Sequence, residues 1–271
     1  MRPEKLARQL TSWARVLPDF IIIGGQKCGT SSLYHYLVQH PCVAPAQKKE
    51  VHFFDLSFHR GLLWYRARFA PVWSRWLAQV RGQRFVTGEA SPDYIFNPHA
   101  SRRVFQTVPQ VKLIALLRNP VDRAYSRYHR AVEKGRESLS FEEAIQKEAQ
   151  RPRDKKARLL LNGNYRSAVR SENYLARGIY ADQLEAWLSL FPRRQILILK
   201  SEDFFADSSA TLERVFRFLD LPNREIQDRR QYNKGSYPEM EPATRRWLLE
   251  YFAPHNERLY RLLGEDFAWD R

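Results

Sequence analysis

A chain of 271 residues in which 44% are hydrophobic and 13% are aromatic can bury a substantial core, so a disordered polypeptide is excluded. The 45 lysines and arginines against 30 acidic residues give a net charge of +15, which predicts attraction to anionic partners such as nucleic acid, acidic lipid, nucleotide or anionic glycan. Two cysteines, Cys28 and Cys42, provide neither a disulfide framework nor a metal-ligand spacing, and they favour a reducing compartment.

The N-terminal residues 1–17 alternate charged and apolar side chains and lack the continuous apolar core of a signal peptide. No apolar run in the sequence reaches the length of a membrane span. We therefore expect a cytoplasmic protein with a single domain over 1–271, of which 1–17 is an N-terminal extension. The sequence leaves the oligomeric state open.

Short apolar runs alternate with amphipathic stretches along the chain. The runs with the length of strands lie at 20–23, 84–87, 112–117 and 195–199. The stretches with helical period lie at 32–39, 97–108, 121–134, 180–190 and 209–219. This alternation predicts an α/β fold, a P-loop-like three-layer arrangement with helices flanking a mainly parallel central sheet. The charged segment 146–170 interrupts the pattern, and we expect a mobile surface insertion there.

The run at 20–23 leads into a glycine-rich loop and the start of a helix. Gly25 and Gly29 let the backbone turn and bring its N–H groups close to an anion, while Thr30 and Ser31 stand at the positive end of the helix. The loop is not a Walker A motif, because Lys27 precedes the last glycine. The candidate phosphate-binding residues are Gly25, Gln26, Lys27, Cys28, Gly29, Thr30 and Ser31.

A second candidate site lies where the run at 112–117 ends. Arg118 follows the predicted strand at the carboxyl edge of the sheet, where open α/β folds bind ligands. Pro120 favours the first turn of a helix, and Ser126 comes about two turns later. Arg118 and Ser126 can therefore converge on one phosphate. The structural alternative is an ion pair at Arg118.

The two segments together resemble the sulfotransferases that use 3′-phosphoadenosine 5′-phosphosulfate (PAPS). The loop G-x-x-K-x-G-T-x-x-L, which binds the 5′-phosphosulfate in that family, is matched by Gly24, Lys27, Gly29, Thr30 and Leu33. The segment R-[ND]-P-x-x-R-x-x-S, which binds the 3′-phosphate, is matched by Arg118, Asn119, Pro120, Arg123 and Ser126. Two motifs in the right order are much more specific than either one.

The segment K-K-E-V-H-F-F-D, which begins at Lys48, resembles the K-E-x-H-F-F element of the heparan sulfate sulfotransferases and related bacterial enzymes. The resemblance implies that Glu50 is the general base and that His52 lines the site. His52 is the alternative base, because a histidine takes that role in the cytosolic sulfotransferases of the superfamily. An alternating strand that presents both side chains on one face is compatible with either role.

Further resemblance extends over nearly the whole chain. Lys234 and Gly235 resemble a loop that closes over the nucleotide, and the segment 264–269 resembles a terminal G-x-D-F-x-W motif. Ala90 and Ser236 depart from the heparan-type enzymes, and both departures remove positive charge near the expected acceptor cleft.

The reaction that the resemblance implies moves a sulfuryl group from PAPS to an acceptor hydroxyl or amine and needs no metal. Lys27, with the N–H groups of Gly29 and Thr30, stabilises the departing 5′-phosphate, and Glu50 takes the acceptor proton. We expect the acceptor to be a carbohydrate or small metabolite, anionic ones included. The product nucleotide is 3′-phosphoadenosine 5′-phosphate (PAP).

Two other functions fit parts of the sequence. A P-loop kinase needs Mg²⁺ and an acidic residue at a strand end, for which Glu89 is the available candidate. A nucleic-acid-binding protein fits the charge, although no recognised nucleic-acid module is visible. The aromatic stretch 53–76 has a helical spacing typical of core residues, and its alternative role is a stacking wall for the acceptor.

Overall fold

The computed structural model describes residues 3–150, 173–233 and 235–269. Five strands form one sheet: β1 Phe20–Gly24, β2 Val43–Pro45, β3 Val86–Ala90, β4 Lys112–Leu117 and β5 Ile196–Lys200. Their order is β2-β3-β1-β4-β5, and every neighbouring pair is parallel. The predicted parallel sheet is confirmed, and its four predicted strands are present. The additional strand, β2, has only three residues and ends in a proline, so it carries little strand signal.

Helices connect the strands. Those in the described residues are α1 Pro3–Leu10, α2 Thr30–Leu37, α3 Gly61–Arg66, α4 Val72–Val80, α5 Ala100–Thr107, α6 Pro120–Glu133, α7 Phe141–Ala149, α8 Tyr180–Leu188, α9 Ser201–Ala206, α10 Ser208–Phe218 and α11 Pro242–Leu263. All five predicted helices are present. The long helix α11 has no predicted counterpart, and it contains Pro254, a residue that ordinarily indicates a helix end. Most of the predicted insertion at 146–170 lies outside the described residues.

The core occupies both faces of the sheet. In β1, Ile21 and Ile23 pack on one face, whereas Phe20 and Ile22 pack on the other. Successive strand residues point to opposite faces of the sheet. Because both faces are covered, all four residues are buried, which explains why the run is continuously apolar. Trp187 of α8 covers the first face, and the helices α2 and α10 cover the second. These contacts produce the three layers that the sequence predicts.

The strand considered as an alternative for Glu50 and His52 is absent, and part of the core prediction for the aromatic stretch is wrong. Residues 50–52 are not in a strand, and Phe53–Ser57 forms a π-helical turn preceded by His52 in the left-handed region (φ 53°). In the aromatic stretch, Tyr65 and Phe69 are core residues as predicted, but Trp73 and Trp76 of α4 are more than half exposed. Helix α4 packs against the rest of the protein on one side only. A regular apolar spacing alone therefore does not determine which side chains are buried.

Candidate active site

The loop after β1 lies over the carboxyl edge of the sheet. The N–H of Gly25 donates to the carbonyl of Leu116 in β4 at 2.5 Å, which fixes the loop to the neighbouring strand. Gly29 has a φ of 90°, and a Cβ on it would lie 2.8 Å from the ring of Phe205. Only glycine satisfies both constraints. The loop therefore delivers the N-terminus of α2, with Thr30, to the cleft above the sheet.

Arg118 lies between β4 and α6. The side chain of Asn119 caps α6, and the hydroxyl of Tyr180 donates to the carbonyl of Arg118 at 2.9 Å. The guanidinium Nη1 of Arg118 lies 3.5 Å from the carbonyl oxygen of Lys27, and Ser126 lines the same cleft. The fold thus brings Arg118 and Ser126 to the glycine-rich loop, as the sequence predicts.

Two further arginines of α6, Arg127 and Arg130, line the cleft beside Lys27. Burial lowers the pKa of the Lys27 ammonium, and repulsion from Arg130 lowers it further. Arg118 and Arg127 act in the same direction. A protein that gathers four cations so closely favours a ligand with several negative charges, since such a ligand removes the repulsion.

A C-terminal loop covers the other side of the cleft. The N–H of Tyr232 donates to the hydroxyl of Ser32 at 2.9 Å, and the amide of Asn233 donates to the hydroxyl of Ser31 at 3.1 Å. The ring of Tyr232 also stacks on His35, with 4.1 Å between ring centroids. These contacts bind the loop to α2. The neighbouring Lys234, a predicted cofactor-binding residue, lies outside the described residues.

The elements enclose a cleft of about 750 Å³. The predicted site residues that line it are Gln26, Lys27, Gly29, Thr30, Ser31, Glu50, Arg118, Ser126 and Gly235. The lining residues absent from the prediction are His35, Lys48, Lys49, Pro92, Arg127, Arg130, Phe205, Gln231, Tyr232, Asn233 and Tyr237. The K-K-E run indicates Lys48 and Lys49, and the helical spacing from Ser126 indicates Arg130, so the sequence carries a signal for three of these. Ala90, by contrast, is buried in β3 and gives no surface to the cleft.

Some motif residues support the cleft from behind. The Cys28 side chain is fully buried, and its sulfur lies 3.8 Å from the hydroxyl of Tyr180. Gly25 bonds to β4 and does not line the cleft. Arg123 is completely buried and donates to the carbonyl of Tyr174, so this arginine of the second motif holds the fold together. Cys28 and Gly25 therefore offer the cleft no side chain.

A chain of ionisable groups lies behind Glu50. Glu50 lines the cleft, whereas His52, which the resemblance implies as a lining residue, is not among the residues that line it. The Nε2 atom of His52 lies 3.3 Å from a carboxylate oxygen of Glu50, and its Nδ1 lies 2.8 Å from a carboxylate oxygen of Asp55. The ammonium of Lys49 contacts the other oxygen of Glu50 at 2.7 Å. The side chain of Asp55 is fully buried, whereas that of Glu50 is 44% exposed. Asp55, which the sequence analysis missed, thus fixes the orientation of the imidazole ring.

This arrangement separates the pKa values of the pair. The hydrogen bond from His52 lowers the pKa of Glu50 to about 2 against the effect of burial, and Lys49 adds to the lowering. Burial lowers the pKa of His52, but the hydrogen bonds to Asp55 and Glu50 outweigh it and raise the pKa to about 10. At neutral pH the pair therefore consists of a carboxylate and an imidazolium.

The segment that carries Glu50 and His52 is fixed by Glu89, a fully buried residue at the end of β3. Its carboxylate accepts hydrogen bonds from the N–H of Val51 (3.3 Å) and from the hydroxyls of Ser91 (2.6 Å) and Tyr94 (3.0 Å). The hydroxyl of Ser91 in turn accepts from the N–H of His52 at 3.2 Å. The hydroxyl of Tyr94 accepts from the next two N–H groups at 2.8 and 3.4 Å. Four successive backbone donors thus depend on one carboxylate and its two hydroxyl partners.

One group of potential metal ligands exists among the described residues. Ligand atoms of His52, Asp55 and Asp93 lie within 4.8 Å of one another. His52 is hydrogen-bonded to Asp55, and Asp93 forms a buried ion pair with Arg177 at 2.7 Å. Ion pairing within the protein accounts for this cluster.

Comparison with known proteins identifies the family. The protein-family model that describes the sulfotransferase domain matches residues 17–245 of this chain. The chain belongs to the sulfotransferase family. A crystal structure of a sulfotransferase from Alicyclobacillus acidocaldarius is 34% identical, with a TM-score of 0.71 over 94% of this chain and 100% of that one. The resemblance to sulfotransferases that the two motifs indicate is therefore confirmed. The prediction that the chain is an enzyme of the sulfotransferase class is confirmed as well.

Two curated relatives extend the comparison. Human heparan sulfate glucosamine 3-O-sulfotransferase 3A1 is 33% identical over 99% of this chain and 66% of its own length. The membrane-associated sulfotransferase kil1 of Dictyostelium discoideum is 30% identical over 93% of this chain and 66% of its own length. The chain thus spans about two thirds of the length of these relatives. Within the described residues, no helix combines the length and apolarity that crossing a membrane requires.

The pKa of Glu89 gives a testable pH dependence. Burial raises it from 4.5 to about 7, although the hydrogen bonds from Ser91, Tyr65 and Tyr94 act in the opposite direction. The folded protein therefore retains a proton that the unfolded chain releases above pH 4.5. Glu89 contributes stability that is complete below that pH and is lost as the pH rises through about 7. The unfolding free energy of wild type should therefore fall as the pH rises from 4.5 to 8, whereas Glu89→Gln cannot ionise and lacks this fall. The difference in unfolding free energy, variant minus wild type, should increase by roughly 2–4 kcal/mol over this pH range.

Urea denaturation of both proteins across this pH range measures the difference. Glu213→Gln is the matched control, because Glu213 is exposed and pairs with Arg217 on the surface of α10. Parallel pH profiles for wild type and Glu89→Gln would show that Glu89 ionises normally in the folded protein.

Proposed function

We propose that the chain transfers a sulfuryl group from PAPS to an acceptor hydroxyl or amine, with Glu50 as the general base. The observation that carries the proposal is a single cleft that joins a phosphate-binding loop and four cations to an ionised carboxylate. The part of the cleft formed by the loop and the four cations suits a nucleotide with two separate phosphate groups. The part with the ionised carboxylate suits a nucleophile that must lose a proton.

The donor end of the cleft fits a PAPS molecule. The N–H groups at the start of α2 and the ammonium of Lys27 are placed for the 5′-phosphate, where negative charge builds up during transfer. Arg118 and Ser126 are placed for the 3′-phosphate. Repulsion among the cations, which lowers the pKa of Lys27, would be relieved by these phosphates.

The acceptor end favours Glu50 over His52 as the base. An imidazole with a pKa of about 10 is protonated at neutral pH and has no free lone pair for a further proton. The Glu50 carboxylate is ionised and partly exposed to the cleft. We infer that Asp55 orients His52, and that His52 orients Glu50, so both act as positioning residues.

In the transfer step, the acceptor oxygen or nitrogen forms a bond to sulfur while the bond from sulfur to the 5′-phosphate oxygen breaks. Glu50 receives the acceptor proton, and Lys27 with the loop N–H groups stabilises the charge on the leaving phosphate. The chain's contribution is alignment and electrostatic stabilisation, and neither role calls for a metal.

We propose a carbohydrate as the acceptor. Several relatives are named as heparan sulfate sulfotransferases, which links this site architecture to a sugar hydroxyl. Lys48 and Lys49 line the acceptor side of the cleft and give it a positive potential, so an anionic carbohydrate should enter more readily than a neutral one.

The structure counts against the other two functions. Glu89, the candidate magnesium ligand of a kinase, is fully buried and already accepts hydrogen bonds from protein donors. A nucleic-acid-binding protein needs cations distributed along an extended surface, whereas Lys27 and its neighbouring arginines surround one cleft. Transfer activity that persists in EDTA would further distinguish a sulfotransferase from a kinase.

PAP should bind and raise the melting temperature, because both phosphate-binding segments line one cleft. Arg118→Ala should weaken PAP binding by roughly 2–4 kcal/mol, through loss of a charge-assisted contact to the 3′-phosphate. Calorimetric titration with PAP and adenosine monophosphate measures both effects. Arg217→Ala is the control, since Arg217 is an exposed arginine on α10. Equal affinities for the two nucleotides would contradict a 3′-phosphate site at Arg118.

Glu50→Gln should retain near-normal PAP affinity but lower the transfer rate by about 10²-fold or more, because the general base is lost while the phosphate site is intact. Lys27→Ala should reduce both quantities. Asp55→Asn should lower the rate less than Glu50→Gln does, since its effect passes through the orientation of His52. The measurements are PAP calorimetry and transfer of radiolabelled sulfate to a panel of oligosaccharides and small hydroxyl compounds. Normal turnover in Glu50→Gln would move the base to another group.

A further inference from the structure

Among the described residues, the exposed large apolar side chains are concentrated in the N-terminal part of the chain. Of the fourteen large apolar side chains exposed among the described residues, ten lie between residues 6 and 80. They belong to α1, α3, α4 and Trp13. The most exposed are Trp13 (71%), Leu10 (69%) and Val80 (65%), followed by Trp76 (59%) and Leu63 (56%). An apolar concentration of this kind on a folded surface marks an interaction site.

Backbone contacts hold these elements together as one surface. The guanidinium of Arg8 in α1 donates to the carbonyls of Ala67 and Phe69, each at 2.9 Å, in the connection between α3 and α4. The N–H of Val16 donates to the carbonyl of Ala70 at 3.0 Å. The N-terminal segment therefore lies along the α3–α4 connection. We call the exposed side chains of α1, Trp13, α3 and α4 the amino-edge surface.

The outward face of α4 is regular. Val72, Trp73, Trp76, Leu77 and Val80 are all exposed and follow the spacing of one helical face. The inward side is anchored by Arg75, which forms an ion pair with Asp19 at 2.7 Å just before β1. The helix is thus attached by its polar side and presents its apolar side outward, the reverse of an ordinary surface helix.

The charge around this face has one sign. Residues 56–88 contain six arginines and no aspartate or glutamate. Arg60 and Arg81 are exposed. Of the acidic residues near α4, Asp19 is paired with Arg75, and Asp220 with Lys112 and Arg84. Helix α1 adds one acidic residue, Glu4, and two basic ones, Lys5 and Arg8. An incoming partner therefore meets tryptophan and aliphatic side chains together with uncompensated positive charge.

We propose that the amino-edge surface docks on the interface of an anionic lipid bilayer. Tryptophan is favoured at the headgroup level, aliphatic side chains enter the acyl boundary, and arginines contact anionic headgroups. A second copy of the chain is a poorer partner, because pairing would bring together two surfaces that each have an excess of positive charge. A nucleic acid would use the arginines but would leave the leucine and valine side chains in water.

Docking in this way leaves the cleft accessible. Helix α4 attaches at the amino ends of the strands through Asp19, whereas α3 reaches toward their carboxyl ends, where the hydroxyl of Tyr65 donates to Glu89. None of the exposed apolar side chains of the amino-edge surface lines the cleft. A docked molecule would therefore leave the residues of its cleft free to bind acceptors from the aqueous phase. The inference is independent of the acceptor and of the base assigned above.

The test is co-sedimentation of the whole chain with vesicles of phosphatidylcholine alone or mixed with phosphatidylserine. We expect binding to the mixed vesicles, with a blue shift of tryptophan fluorescence, and weaker binding to phosphatidylcholine alone. Trp73→Ala/Trp76→Ala should reduce binding to the mixed vesicles by about tenfold or more. Arg81→Gln should reduce it by a smaller factor of about fivefold, as loss of one interfacial cation predicts.

Matched controls make the result specific. Trp247→Ala removes an exposed tryptophan on α11, and Arg217→Gln removes an exposed arginine on α10; both should bind vesicles like wild type. PAP affinity and melting temperature should be unchanged in the α4 double variant, so failure of docking is distinguishable from failure of the proposed reaction. Equal binding to both vesicle types, equal binding by the double variant, or a dimer that the double variant disperses would each overturn the proposal.

Discussion

The buried carboxylate of Glu89 is the constraint on which the catalytic wall of the cleft depends. Because His52 adopts a left-handed conformation, the backbone around it belongs to neither a strand nor a regular α-helix, and its N–H groups need other partners. Glu89, with the hydroxyls of Ser91 and Tyr94, satisfies the four donors from residues 51 to 54. A buried carboxylate is costly unless it is fully hydrogen-bonded, so the network holds only when all its members are in place. The position of Glu50 is thereby tied to the end of β3.

The same cleft contains two opposite electrostatic arrangements. At the loop, Lys27 and its neighbouring arginines repel one another, which costs stability and favours an anionic ligand. At Glu50, which lines the cleft, and behind it at His52 and Asp55, the charges alternate and stabilise one another. The cations at the loop favour the binding of a negatively charged ligand. The second arrangement keeps the carboxylate of Glu50 ionised and oriented. The parallel sheet makes both possible, since it delivers the ends of β1, β3 and β4 to one edge.

The elements predictable from the sequence are those whose signal is local. The apolar run of β1, the glycine loop and the Arg118 segment are contiguous in the chain, so their roles in the fold follow from spacing alone. Asp55 was missed because its importance comes from a turn that folds its carboxylate back onto His52. Glu89 was considered as a metal ligand, since a sequence does not show that Tyr65 and Tyr94 surround it. Trp73 and Trp76 have the spacing of core residues, and only tertiary packing places them outside.

A positive net charge predicts attraction to anions but does not show which kind of anion binds. The side chains that surround each group of cations distinguish one kind of anion from another. Around the cleft, the cations occur with hydroxyls, amides and loop N–H groups, which can bind phosphate oxygens individually. On the amino-edge surface, arginines occur with tryptophan, leucine and valine, which have nothing to offer a small hydrophilic anion. One excess of positive charge thus serves two kinds of chemistry at two separate surfaces. None of the exposed apolar side chains of the amino-edge surface lines the cleft, so a ligand in the cleft leaves that surface exposed.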